Sequence, residues 1–191
     1  MENIEIEFKN LLTEQEYTRI YDYYKLSNCP DILNVNHYYD TKNYELKNNN
    51  CAFRIRISNL LREMTLKIKR DKGNLEINVP VSSEKIPEII SLENLPLEIQ
   101  EKLKLFKIKD ELKLINKIET IRKELKLEKG LLVLDKTTYI NNIEDYELEF
   151  EVFDYLEGKK EFLSILNNLS LERKKAIPKI ARAEHYKKNI Q

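Results

Sequence analysis

Residues 53–69 read Phe53-Arg54-Ile55-Arg56-Ile57-Ser58-Asn59-Leu60-Leu61-Arg62-Glu63-Met64-Thr65-Leu66-Lys67-Ile68-Lys69. In an extended chain successive side chains point to opposite faces, so this stretch is predicted to form two strands. The first sets Arg54 and Arg56 against Phe53, Ile55 and Ile57, and the second sets Lys67 and Lys69 against Met64, Leu66 and Ile68. Leu75-Glu76-Ile77-Asn78-Val79 repeats the alternation downstream, and the three runs together predict an antiparallel meander.

The meander extends in both directions. Upstream, a strand is expected near 33–40, ending in His37-Tyr38-Tyr39-Asp40-Thr41, with a short irregular piece through Asn48-Asn49-Asn50. Before it, Thr13 followed by Glu14-Gln15-Glu16 and an apolar set at Tyr17, Ile20, Tyr21 and Tyr24 predicts a capped amphipathic helix over 13–25, closed by Pro30. Downstream, residues 83–105 carry Pro87 and Pro96 with helical spacing and predict two short helices. Strands near 112–126, 130–141 and 144–153 follow, then a helix near 157–168 and a last helix after Pro178. About eight strands with helices outside them predict an α+β fold, an eight-stranded antiparallel β-barrel, in a single domain spanning 1–191.

The chain has 191 residues, with Lys plus Arg and Asp plus Glu equal at 33 each. Zero net charge supplies no overall field to attract nucleic acid or an anionic membrane, so neither is an expected partner. Gly73, Gly130 and Gly158 are expected in turns, and no Walker or Rossmann signature is present. Cys29 and Cys51 form no C-x-x-C pair and are expected as free thiols in a reducing compartment. His37 and His185 do not make a paired-histidine metal site. No signal-like or membrane-spanning apolar run occurs, and a cytoplasmic protein is expected.

The charges sort by strand. Glu5-Ile6-Glu7-Phe8-Lys9 opens the chain with two carboxylates and an ammonium on one face, Glu5 and Glu7 lying about 6.6 Å apart in a strand. Glu147, Glu149 and Glu151 repeat the acidic pattern opposite Leu148, Phe150 and Val152. If the strands close into a barrel with helices on its apolar outside, a basic wall faces an acidic one across a wet tunnel. Such a lumen stays hydrated or filled, because desolvating clustered cations costs several kcal/mol. A short polyphosphate suits it: Arg and Lys take phosphate oxygens while carboxylates hold bridging divalent ions. The competing reading is a sheet with outward charges over a helical core.

In this order, these residues resemble the CYTH superfamily, the triphosphate tunnel metalloenzymes, and look most like its small bacterial branch made of a CYTH domain alone. The E-x-E-x-K opening is Glu5 to Lys9, and the match continues through Tyr38-Tyr39-Asp40-Thr41, Arg54-Ile55-Arg56, Leu66-Lys67-Ile68-Lys69, Glu76, Arg122, Leu134-Asp135, Glu147-Leu148-Glu149 and Pro178-Lys179-Ile180-Ala181-Arg182. The resemblance implies a tunnel that binds a triphosphate with Mg²⁺ or Mn²⁺ and hydrolyses it. It implies Glu5, Glu7, Glu147 and Glu149 as metal ligands, with Asp135 and Glu76 as further candidates. Lys9, Arg54, Arg56, Lys67, Lys69, Arg122 and Lys179 would hold phosphate, and Arg182, one helical turn from Lys179, would join them or else lie on an exposed basic face with Tyr186. Glu7 or Glu149 would accept a proton, or Tyr39 of the Tyr38-Tyr39 pair would do so with Lys67. The substrate would be tripolyphosphate, thiamine triphosphate or a nucleoside triphosphate. A class IV type adenylate cyclase and a non-catalytic polyphosphate-binding module are the alternatives, as monomer or homodimer.

Overall fold

In a computed structural model that describes residues 2–82 and 85–188, nine strands run β1 Glu2–Leu12, β2 Ile32–Asp40, β3 Cys51–Ser58, β4 Arg62–Lys69, β5 Asn74–Pro80, β6 Ile89–Ile90, β7 Leu112–Leu127, β8 Gly130–Thr138 and β9 Glu144–Val152. The α-helices are α1 Glu14–Tyr23, α2 Glu45–Asn48, α3 Leu97–Leu105, α4 Tyr155–Asn168 and α5 Lys179–Lys188. Hydrogen-bonded neighbours follow the order β2-β3-β4-β5-β1-β9-β8-β7-β6, and β2 pairs in addition with β7. The eight longer strands therefore have the connectivity of a closed antiparallel β-barrel in an α+β chain.

Two compact units share these strands, one drawn from Met1–Ile4 and Val35–Lys117, the other from Glu5–Asn34 and Ile118–Gln191. In the first, register lines up Phe53 with Leu66 and Leu66 with Ile77, and Cys51 with Ile68 and Ile68 with Leu75. That apolar face packs with Ile99 and Leu103 of α3 and Leu46 of α2. In the second unit, Leu132, Leu134, Leu148 and Phe150 pack with Ile20 of α1 and with Phe162, Ile165 and Leu166 of α4. Burying such a side chain contributes about 1.5–3 kcal/mol, so apolar parity decides which strand face the helices cover.

Most expected elements appear within a few residues of their predicted bounds. Thr13 caps α1 as expected: its hydroxyl accepts from Glu16 N, and the Glu16 carboxylate accepts from Thr13 N at 2.7 Å. Three expectations change. Only one α-helix, α3, forms among the described residues of 83–105; Ile89–Ile90 instead pairs with Leu112 and Lys113, an apolar pair captured by a strand edge. The irregular piece before Asn49 contains α2, whose first amides are held by Asp40: Oδ1 accepts from Leu46 N and Oδ2 from Lys47 N. Gly158 lies inside α4 and not in a turn, because α4 approaches β9 so closely that a Cβ there would meet Val152 at 2.4 Å.

Candidate functional site

The second unit gathers the acidic strands. Leu148, Phe150 and Val152 turn into its core, so Glu147, Glu149 and Glu151 go to the other face of β9. Register sets Lys9 beside Glu149 and Glu7 beside Glu151 on the β1 side; on the β8 side Asp135 pairs with Glu147, and Arg122 pairs with Asp135. Lys9 Nζ lies 2.8 Å from Glu149, 2.9 Å from Glu7 and 3.7 Å from Glu147. Lys179, the first residue of α5, lies 2.8 Å from Glu149, 2.9 Å from Asp135 and 3.4 Å from Glu147. Arg122 donates from Nε and Nη2 to the two oxygens of Asp135, each at 2.8 Å, and from Nη2 to Glu149 at 2.8 Å.

These contacts split the carboxyls into two kinds. Burial opposes ionisation of Glu149, yet Lys179, Lys9 and Arg122 together hold it well below the usual carboxylate range. Asp135 is likewise held low, burial being overcome by Arg122 and Lys179. Glu147 goes the other way: burial and the neighbouring Glu149 charge push it up to about 7 despite Lys179 and Lys9. Glu151 is also pushed up to about 7, first by burial and then by Glu5, Glu149 and Glu7, against the pull of Arg122. Carboxylates outnumber fixed cations here, so near neutral pH the protons the cluster takes up go to Glu147 and Glu151.

Arg182 is buried and belongs to this cluster, so α5 does not present it on an exposed basic face. Its guanidinium bonds Glu147 through Nη2, and its Nε lies 3.0 Å from the Tyr139 hydroxyl and 2.8 Å from Asp145. The Tyr186 hydroxyl donates to Asp145 at 3.4 Å, and the Tyr139 and Tyr186 rings stand 5.0 Å apart. Tyr139 and Asp145 had no role in the sequence reading. Asp145 shares strand parity with Glu147 and Glu149, a signal that was present; Tyr139 follows the last residue of β8, where alternation ends.

The first unit holds a polar face of its own. Arg54, Thr65 and Asn78 form one row across β3, β4 and β5, and Ala52, Lys67 and Glu76 form the next. Lys67 Nζ is 3.0 Å from Glu76, and burial of Glu76 is outweighed by Lys67 and Arg54, which bring its carboxyl down to about 2. Arg56 Nε donates to Asn36 at 3.0 Å, and its Nη1 lies 3.8 Å from Glu63. Lys69 is exposed at the end of β4. Tyr39 is not on this polar face: it packs edge-on against Phe53 in the apolar core, donates to Pro87 O at 2.8 Å, and burial pushes its phenol up to about 12.

Among the described residues, no three His, Cys, Asp or Glu side chains are arranged as a metal cage. The ammonium groups of Lys9 and Lys179 stand among the carboxylates of the second unit. The donor chemistry nonetheless fits a hard divalent cation, since every donor is a carboxylate oxygen and acid charge is in surplus. Cys29 and Cys51 are free thiols, and no helix among the described residues is long and apolar enough to cross a membrane.

The CYTH domain family model matches residues 3–183. YjbK of Bacillus subtilis (strain 168), named as a candidate triphosphatase, is 36% identical over 184 residues, spanning 95% of this chain and 94% of that protein. Among solved structures, a candidate adenylate cyclase from Bacillus halodurans is similar at 31% identity with a TM-score of 0.86, covering 95% of this chain and 97% of that one. HpAC1 from Hippeastrum, a candidate adenylyl cyclase described as having a dominant triphosphatase activity, is similar at 21% identity and TM-score 0.73, covering 97% of this chain and 96% of that one, a likeness of fold.

Proposed function

Because the chain belongs to the CYTH domain family, we propose that it is a cytoplasmic, divalent-metal-dependent triphosphatase acting on inorganic tripolyphosphate or an organic triphosphate such as thiamine triphosphate or a nucleoside triphosphate. The observation that carries this reading is the buried cluster in which Glu149 meets Lys9, Lys179 and Arg122 while carboxylates remain in excess. One family match running from residue 3 to residue 183 supports treating both units as parts of a single domain.

Glu5, Glu7, Glu147 and Glu149, with Asp135 as a further donor, would hold Mg²⁺ or Mn²⁺. A bound divalent ion supplies Lewis-acid neutralisation of phosphate oxygens. The rest falls to the chain's own side chains. Lys9, Lys179 and Arg122 exchange a carboxylate partner for a phosphate oxygen, so the charge that stabilises transferred phosphoryl oxygens is already positioned. Arg182 holds Glu147. Glu149, kept ionised by Lys179, Lys9 and Arg122, anchors the cations. Arg54, Arg56, Lys67 and Lys69 take phosphate-binding roles on the strength of the family motif, with Glu76 orienting Lys67. Tyr39 is a packing residue.

The name of the 31% identical Bacillus halodurans relative favours a second reading, adenylate cyclase. Purified protein with Mg²⁺ or Mn²⁺ is given tripolyphosphate, ATP and thiamine triphosphate separately, and phosphate, pyrophosphate and cyclic AMP are measured. Phosphate release that disappears in Glu147→Gln supports the triphosphatase. Cyclic AMP with pyrophosphate from ATP overturns it in favour of the cyclase, and tight binding without product reduces the protein to a binding module.

A further inference from the structure

Asn10 breaks the apolar face of β1. Ile4, Ile6, Phe8 and Leu12 share its parity, yet this position carries an amide, fully buried beside the site lysine Lys9. A buried amide on an apolar face is costly unless every donor and acceptor is met. All of them are. Asn10 Nδ2 donates to Glu172 O at 2.9 Å and to Leu11 O at 3.0 Å, and Oδ1 accepts from Lys174 N at 2.7 Å and from Arg173 Nη1 at 3.0 Å.

Three of those four bonds reach one segment, the stretch that leads through Pro178 into α5. The same segment is tied to β1 again: Leu11 N donates to Lys174 O at 3.2 Å and Arg173 Nη1 donates to Lys9 O at 2.7 Å. Lys174 Nζ then grips both oxygens of Glu16 in α1 at 2.9 Å. Only Lys175, Ala176, Ile177 and Pro178 separate this clamp from Lys179.

We propose that Asn10 is a positioning residue: it fixes residues 172–174 against β1, and thereby sets where α5 delivers Lys179 and Arg182 to the carboxylates of β8 and β9. The kinetic consequence rests on the triphosphatase reading, whereas the clamp itself does not. Asn10→Leu puts an apolar side chain of similar size on the β1 face in place of the amide, and Arg173→Ala loosens the clamp from its exposed side.

Hydrogen exchange on the full chain reads the clamp without any substrate. In Asn10→Leu, amides of residues 171–188 exchange about tenfold faster or more, while those of α1 and α4 keep their protection. Unchanged exchange in α5 overturns the proposal, as does uniform loosening of the whole chain. If Asn10→Leu does not fold, Arg173→Ala decides by the same measurement. With tripolyphosphate as substrate, Asn10→Leu lowers kcat/KM about tenfold in the wild-type background and has little further effect in Lys179→Ala. An equal loss in both backgrounds shows that Asn10 does not act through Lys179 and sinks the positioning role. Wild-type protein that hydrolyses no triphosphate refutes the functional reading instead, and the exchange result then judges the clamp alone.

Discussion

Two substitutions of the same chemistry on the same strand face, Glu149→Gln and Glu151→Gln, are expected to change stability in opposite directions. Glu149 is the shared counter-charge of Lys9, Lys179 and Arg122, each 2.8 Å away. Removing one partner of a buried ion pair costs about 3–5 kcal/mol because the remaining charge is left buried. Lys9 keeps Glu7, and Lys179 and Arg122 keep Asp135, so the lower end, about 3 kcal/mol, applies. At about 2–4 °C per kcal/mol for a chain of this length, Tm falls by roughly 6–12 °C. Glu151 is pushed up to about 7 from an ordinary 4.5, so its ionised form opposes folding. At 1.36 kcal/mol per unit the upper bound is about 3 kcal/mol. Its side chain is 29% exposed and its ion pair with Arg122 is long, 3.7 Å, so solvent screening reduces the expected gain in Glu151→Gln to about 1 kcal/mol. A carboxyl with a raised folded pKa costs nothing below 4.5 and its full penalty above about 7, so the gain is absent at pH 4.5 and complete at pH 8. Urea and thermal unfolding of both variants, with a chelator present, tests this at the two pH values. Shifts of the same sign at pH 8, or a Glu149→Gln protein as stable as wild type, refute the electrostatic reading of the cluster.

Two further expectations concern the first unit. Glu76 is brought down to about 2 from 4.5, so it stabilises the fold above pH 4.5 and that contribution is lost as pH falls toward 2; unfolding free energies from urea titrations of wild type and Glu76→Gln, about 2 kcal/mol apart at neutral pH, converge in acid unless the Lys67 pair contributes nothing. Tyr39→Phe removes only the bond to Pro87 O, so unfolding experiments show a loss of about 1 kcal/mol while turnover stays at the wild-type level, and a collapse of turnover restores Tyr39 to the chemistry.

The barrel connectivity was legible because parity is a strong signal. A one-residue slip of Phe53-Arg54-Ile55-Arg56-Ile57 would exchange a buried phenylalanine for an arginine, and the paired rows Phe53–Leu66–Ile77 and Arg54–Thr65–Asn78 show that the alternation was obeyed. Strand parity points to Lys9, Glu147 and Glu149, and the family resemblance to Arg122, Asp135 and Lys179; all six meet in the second unit. What parity did not reveal was partnership. A period of two assigns Lys67 to a polar face, but pairing with Glu76 depends on the β4–β5 register, which the turn sets. Arg182, expected as a phosphate ligand or a surface charge, is buried against Tyr139 and Asp145, partners that helical spacing does not reveal because they come from the residue after β8 and from β9. Gly158 was misplaced for a related reason: its need for no side chain arises from Val152 across the packing, not from a local turn.

Equal numbers of acidic and basic residues, 33 of each, conceal a local imbalance. A fold optimised for stability alone would replace Glu151 with a neutral residue, since it is pushed up to about 7 and opposes folding when ionised, whereas Glu147 is also the buried partner of Arg182. Keeping both in the cluster leaves acid charge that Lys9, Lys179, Arg122 and Arg182 do not neutralise, and this residual charge is what a divalent cation would complete. The stability cost and the chemical capacity have one origin. Divalent cations should therefore raise Tm more in wild type than in Glu151→Gln or Glu147→Gln, even without substrate, because part of what the ion offsets has already been removed in the variants. Equal shifts in all three proteins would place the ion elsewhere and separate the acid surplus from metal binding.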